Sequence, residues 1–304
     1  RQLEPAMRKK SEQYFANIRE SATAKNGFGG LGLLAYDDFD RGRETLAAAL
    51  SPQVPPNVRV VAIRALANFT QPEATQLVID AWNGFGPETR PVAAEMLLQT
   101  APRAAALLAA LDEGTVKRTE LDRAQKQFLL NHPNDQVRAT ARKLLADDAA
   151  GDRPRVGAAY QSALTVEGNA ERGRMLFQKH CAACHQVGQT GHVVGPNLAS
   201  VSNKSAGDLL ISVLDPNREA LPTFNSYTLV TTQGKILTGI VAAESATSVT
   251  LKRAEGQQDV VLRSEIEQLA SNGISLMPEG FEKEITPAQL ADLIEFIRTL
   301  PKTP

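Results

Sequence analysis

The chain has 304 residues, enough for two domains at about 150 residues each. Apolar residues make up 42 % and charged residues 22 %, which excludes wholesale disorder and fibrous repeats. The net charge of -1 gives no sequence-wide attraction for nucleic acid or anionic lipid. The longest apolar run, Ala104 to Leu111, is far too short to cross a bilayer, so no transmembrane segment is expected. The sequence starts at Arg1, without an initiator Met or a basic-then-apolar leader, and reads as a processed piece of a longer polypeptide.

Gln2 to about Ala24 reads as a helix, closed by a Gly-rich break at Gly27, Gly29, Gly30 and Gly32. From Pro56 to about Ala149 the pattern is helical throughout, with Pro and Gly mostly at boundaries. Aligning Val58–Leu66, Thr89–Leu97 and Val137–Leu145 superposes Arg59, Arg90 and Arg138, then Ala62, Ala93 and Ala141, then Leu66, Leu97 and Leu145. The offsets are 31 and 48 residues, the longer one implying an extra turn or helix near Leu111 to Leu121. A small residue with Leu four positions on suits closely stacked helix pairs, and the stretch resembles HEAT-type repeats of an α-solenoid. Residues 1–149 are read as this helical domain and 150–164 as a linker rich in Asp, Gly and Pro.

The rhythm changes in the C-terminal part, residues 165–304. Asn169 to His180 reads as one helix. About 225–263 alternates as strands do, with turns at Gln233-Gly234 and Glu255-Gly256, which predicts a four-stranded meander. Thr286, Pro287 and Gln289 form a capping-box start, and Leu290, Leu293, Ile294, Phe296, Ile297 and Leu300 supply the apolar face of a final helix.

The only two cysteines stand in Cys181-Ala182-Ala183-Cys184-His185. Two thiols one turn apart can each reach a vinyl group of a porphyrin, and a histidine directly after them can place its imidazole under the iron. With two cysteines and four histidines in the chain, chance gives this arrangement roughly once in ten thousand. A zinc site lacks a second ligand pair at suitable spacing, and a helix rather than a strand precedes the motif, unlike a thioredoxin-type pair. One haem c, covalent through Cys181 and Cys184, is the expected cofactor.

Gly173, Phe177, Cys181, Cys184 and His185, then Gly195-Pro196-Asn197-Leu198, and later Met277-Pro278 before the last helix, resemble a monohaem class I cytochrome c. More narrowly, the run from Gly173 through GPNL, LDPNRE and SLMPEGF is similar to the haem-binding c-type domain of Planctomycetes and related bacteria, often found behind HEAT repeats and a dehydrogenase domain. The resemblance covers about residues 168 to 300. It implies a mainly α protein: a HEAT-like α-solenoid, then an all-α class I core carrying a small inserted antiparallel β-meander. It also implies that Pro196 O accepts from His185 Nδ1 and that Leu198 packs on the haem edge. Gly173 and Phe177, four apart on one helix, share a face that the last helix is expected to cross, with Phe296 as the partner.

Met277 is the leading sixth ligand beside His185, since Pro278 holds it in an extended loop. His192 is a rival for that place, His180 is too close to Cys181 to reach the far face, Met175 is expected in the core, and His132 is expected as a solvated loop residue. Methionine ligation favours ferrous iron, so single-electron transfer is expected, from a fused or partner dehydrogenase to a downstream acceptor. No independent catalytic constellation is visible. Two alternatives remain: a ligand-binding sensor or peroxidase-like site in which Met277 dissociates, and a repeat scaffold with a structural haem. Haem attachment takes place outside the cytoplasmic membrane, so a periplasmic or cell-surface location is expected. Residues 161–304 carry a net charge of -3 against +2 for residues 1–160, so a redox partner is expected to present a basic face.

Overall fold

The structure, a computed structural model, describes residues 5–22, 28–145, 152–218 and 221–301. The expected first helix is seen as α1, Pro5–Ser21; residues 2–4 and 23–27 of that reading lie outside the described residues. Seven α-helices follow among the described residues: α2 Phe39–Ala48, α3 Pro56–Leu66, α4 Pro72–Asp80, α5 Arg90–Leu98, α6 Ala101–Asp112, α7 Arg123–Leu130 and α8 Asp135–Leu144. Proline at the first or second position starts α3, α4, α5 and α6, where a missing N–H costs nothing and φ is already set. Asp38, Asp122 and Asn134 cap α2, α7 and α8 through their side chains. Alanines 62, 93 and 141 are fully buried, so the small residue of the repeat lets the helices approach closely around one core.

Residues 152–164 form α9, Asp152–Ala159, and a 3₁₀ turn, Gln161–Leu164, and Tyr160 and Ala163 join the core of the helices that follow. Tyr160 donates its hydroxyl to Ile285 O at 2.6 Å, and Arg153 pairs with Glu282 at 2.9 Å. Then come α10 Ala170–His180, α11 Ala206–Leu214 and α12 Pro287–Thr299. The capping box of the last helix forms as its sequence requires. Gln289 N donates to Thr286 Oγ1 at 3.3 Å, and Thr286 N donates to Gln289 Oε1 at 2.8 Å.

The all-α core with a small four-stranded insertion does not hold. The C-terminal part contains a two-stranded ladder, β1 Gln186–Val187 with β2 Thr190–Gly191, and a five-stranded antiparallel sheet in the order β6-β5-β4-β3-β7. Its strands are β3 Asn225–Thr231, β4 Ile236–Glu244, β5 Ser248–Lys252, β6 Gln258–Leu262 and β7 Ile266–Ser275. The first four match the expected meander, and β7 returns to pair with β3. A register shift between Val230 and Thr231 sets Leu269 opposite Leu229 and Ile266 opposite Thr231, so two apolar residues three apart reach one core without alternating.

The sheet is fastened to the N-terminal helices by buried polar contacts. Arg59 of α3 donates to Glu244 Oε1 at 2.8 Å, and Arg263 donates to the same oxygen at 3.1 Å and to Pro52 O at 2.7 Å. Arg90 of α5 donates to the Tyr227 hydroxyl at 2.6 Å, and its guanidinium lies over the rings of both Tyr227 and Trp82. Two of the three aligned repeat arginines thus serve the sheet. The third, Arg138, is turned back to its own helix start, where it donates to His132 O at 2.6 Å.

Candidate haem-binding site

The site is built at the end of α10. Cys181 caps that helix, and its carbonyl accepts from Cys184 N at 3.0 Å and His185 N at 2.8 Å, closing one backbone turn over the two cysteines and His185. The other carbonyls of the motif are engaged as well. Ala182 O accepts from His192 N, Ala183 O from Glu255 N, and Cys184 O from Val194 N and Gly195 N. β1 and β2 form the short ladder that folds residues 186–191 back over this loop.

His185 Nδ1 lies 2.8 Å from Pro196 O. A carbonyl can only accept, so Nδ1 carries the proton and Nε2 keeps its lone pair. Gly195 supplies the second constraint: a Cβ there would stand 2.6 Å from His185 Cε1, so the ring lies directly on the backbone. Burial lowers the His185 pKa, with the Pro196 bond opposing, which favours the neutral imidazole a metal needs.

Burial pushes the Cys181 thiol up to about 12, and Cys184 moves in the same direction for the same reason. Neither cysteine is in a disulfide. Thiols held protonated are poor zinc ligands and poor redox nucleophiles, and both remain available for thioether bonds. Two free thiols, an imidazole with its tautomer fixed and an apolar surround of Phe177 and Leu198, both buried, make a donor set that fits haem c.

α10 and α12 cross where Gly173 faces Asp292 and Phe296; a Cβ on Gly173 would stand 2.7 Å from Phe296 Cβ. The Phe177 and Phe296 rings are 5.6 Å apart at 38°, closing one wall. Met277 is half-buried in the loop between β7 and α12. Its N–H donates to Ser275 Oγ at 3.1 Å, and Leu276 N donates to Phe224 O at 3.1 Å. His192, the rival ligand, is exposed and lies against Gly256 in the turn between β5 and β6.

Asn217 and Asp292, which pattern alone did not single out, and His180, weighed above only as an iron ligand, support the site. Asn217 spans the Met277 loop, accepting from Ser275 N at 2.8 Å and donating to Glu279 Oε1 at 2.6 Å. Asp292, buried on α12, receives Arg172 through two bonds of 2.7 Å and Asn169 N through a third, tying the start of α10 to α12. A carboxylate inside the apolar face of α12 was the available signal. His180 pairs with Glu284 at 2.9 Å, joining the last turn of α10 to the approach to α12.

Two expectations are corrected. Met175 is 55 % exposed, because the inner face of α10 is set by Gly173 and Phe177 and residue 175 falls on the opposite side. His132 is buried rather than solvated: its Nδ1 accepts from Asn134 N at 3.1 Å and its ring meets Phe128 edge-on.

Comparison with known proteins agrees with this geometry. The cytochrome c family matches residues 170–227. A cytochrome c-553-like protein of Synechocystis is 36 % identical over 62 residues, covering 20 % of this chain and 58 % of that protein. The cytochrome c of Stellaria longipes is 35 % identical over 65 residues, covering 21 % of this chain and 60 % of its own length. The chain thus spans less than two thirds of either relative, and the matched family region ends before Met277 and α12. Residues 170–227 are a cytochrome c domain, and its cofactor is covalently bound haem c.

Proposed function

We propose that this chain is a monohaem electron-transfer module in which Cys181 and Cys184 form the thioethers and His185 Nε2 and the Met277 sulfur are the axial ligands. The observation that carries the reading is the His185 Nδ1–Pro196 O bond, which leaves Nε2 as the ring nitrogen with a free lone pair. When bound, the haem supplies a one-electron ferric/ferrous couple. The protein holds the imidazole in one tautomer, packs Phe177 and Leu198 around the group, and stiffens the Met277 loop through Ser275 and Asn217. Fixed ligands keep reorganisation small.

The N-terminal helices, residues 1–149, act as a HEAT-like scaffold, and residues 165–304 are the haem-carrying part. The repeat alignment supports this, together with the packing of α3 on α5, α4 on α6 and α6 on α8. The electron donor is a dehydrogenase, fused or separate, and the acceptor a periplasmic redox protein with a basic face. The location is periplasmic or at the cell surface, since haem attachment takes place there. Among the described residues no helix is long and apolar enough to cross a membrane.

The test is a spectroelectrochemical titration of the holoprotein in the presence and absence of carbon monoxide. Electron transfer predicts one reversible one-electron couple and a ferrous spectrum that carbon monoxide leaves unchanged. Immediate carbon monoxide binding would favour a sensor, and no reversible couple would favour a structural haem.

A further inference from the structure

The haem-attachment loop has a hydrogen-bond donor from outside the matched cytochrome region. Glu255 N–H, at the tip of the β5–β6 hairpin, donates to Ala183 O at 2.7 Å. Ala183 stands between the two haem-binding cysteines, and Glu255 lies 72 residues further along the chain. Glu255 takes a left-handed backbone, φ 60° and ψ 21°, a conformation rare for a residue with a side chain. The next residue, Gly256, packs on His192: a Cβ there would stand 3.1 Å from His192 Nδ1. His192 N in turn donates to Ala182 O at 3.0 Å. One hairpin tip therefore bears on both residues between the cysteines, directly on Ala183 and through His192 on Ala182. Its base is anchored: Arg263, just after β6, is bonded to Glu244 and to Pro52 of the N-terminal part.

We propose that the β5–β6 turn, with Glu255 as its positioning residue, is a clamp that sets the backbone of the haem-attachment loop between Cys181 and Cys184. The proposal rests on haem c at this motif and deepens the electron-transfer reading. The clamp acts through Ala183 and His192, and Glu255 itself touches no reacting group. A loosened attachment loop gives water more access to the haem it carries, which stabilises the more highly charged ferric state, so loss of the clamp lowers the reduction potential.

The test compares four holoproteins by amide hydrogen exchange and by redox titration. They are the unaltered chain, Glu255→Pro, Glu255→Gly, and a variant with Ala254–Gly256 replaced by the two-residue turn Asn-Gly. Proline removes the N–H and cannot take a positive φ, whereas glycine keeps the N–H and takes that φ freely. The Asn-Gly turn preserves strand pairing but shortens the tip, so it decides the matter if Glu255→Pro fails to fold. The clamp predicts faster exchange at His185, His192 and Val194 in the proline and shortened variants. It also predicts a shift of about threefold toward ferric haem, about 28 mV for one electron, with Glu255→Gly behaving as the unaltered protein. Unchanged exchange and potential in the shortened variant would overturn it. An absent couple in the unaltered protein would count against electron transfer, and the exchange measurement alone would then decide on the clamp.

Discussion

Asn217 shows how a residue away from the haem motif governs the proposed ligand. Its amide holds Ser275 on one side of Met277 and Glu279 on the other. Asn217→Ala removes both contacts while leaving Met277 in place. The expected result is a looser loop and at least a tenfold gain in the affinity of the ferric protein for added imidazole, followed by optical titration. Asp292 carries a different kind of prediction. Hydrogen bonds from Arg172 hold its carboxyl below the usual aspartate range against the opposing effect of burial. A group with a lowered folded pKa stabilises the fold above its unfolded value, near 3.9, and that contribution is lost as pH falls through the folded value. Thermal melting of the unaltered protein should therefore fall below about pH 4, and Asp292→Asn should flatten this part of the profile. At neutral pH, Asp292→Asn should lower stability in denaturant unfolding, through the weakened bonds from Asn169 N and Arg172.

At the scale of elements, the crossing of α10 and α12 is the contact that the proposed haem site depends on. A side chain at residue 173 meets the backbone of Asp292 and the Cβ of Phe296. Gly173→Leu should force the helices apart and cost about 1–3 kcal/mol, with a matching drop in covalent haem yield per mole of protein. This crossing was legible in the sequence because a small residue and an aromatic at i and i+4 must share a face. The capping box at Thr286 and the turns at Gly234 and Gly256 were legible for the same reason, since each is a local rule. β7 was not. Its Glu267, Gln268, Ser271 and Asn272 dilute the strand signal, and the bulge opposite Val230 and Thr231 breaks its alternation, so only pairing with β3 reveals it. The bond from Glu255 N to Ala183 O was equally invisible, because its two residues lie 72 positions apart.

Across the whole molecule, buried charge links the helices to the sheet. Arg59, Glu244 and Arg263 are all nearly fully buried, two cations around one carboxylate, and burial lowers the Arg59 pKa despite Glu244. Glu244→Gln leaves both guanidinium groups without their counter-charge and should cost about 3–5 kcal/mol. The unaltered protein should melt in a single calorimetric transition over helices and sheet, and the Gln variant should split it into two. The repeat arginines could be aligned from sequence, but not their partners, since nothing local pairs Arg59 with a glutamate 185 residues away.

Axial ligation of one iron by His185 and Met277 is the central proposal. The decisive measurement is the ferric absorption spectrum of the holoprotein beside that of Met277→Ala. The expected result is low-spin ferric haem with a weak thioether-to-iron charge-transfer band, lost in the variant together with a change to high spin. A high-spin spectrum in the unaltered protein, or identical spectra for the two, would contradict it.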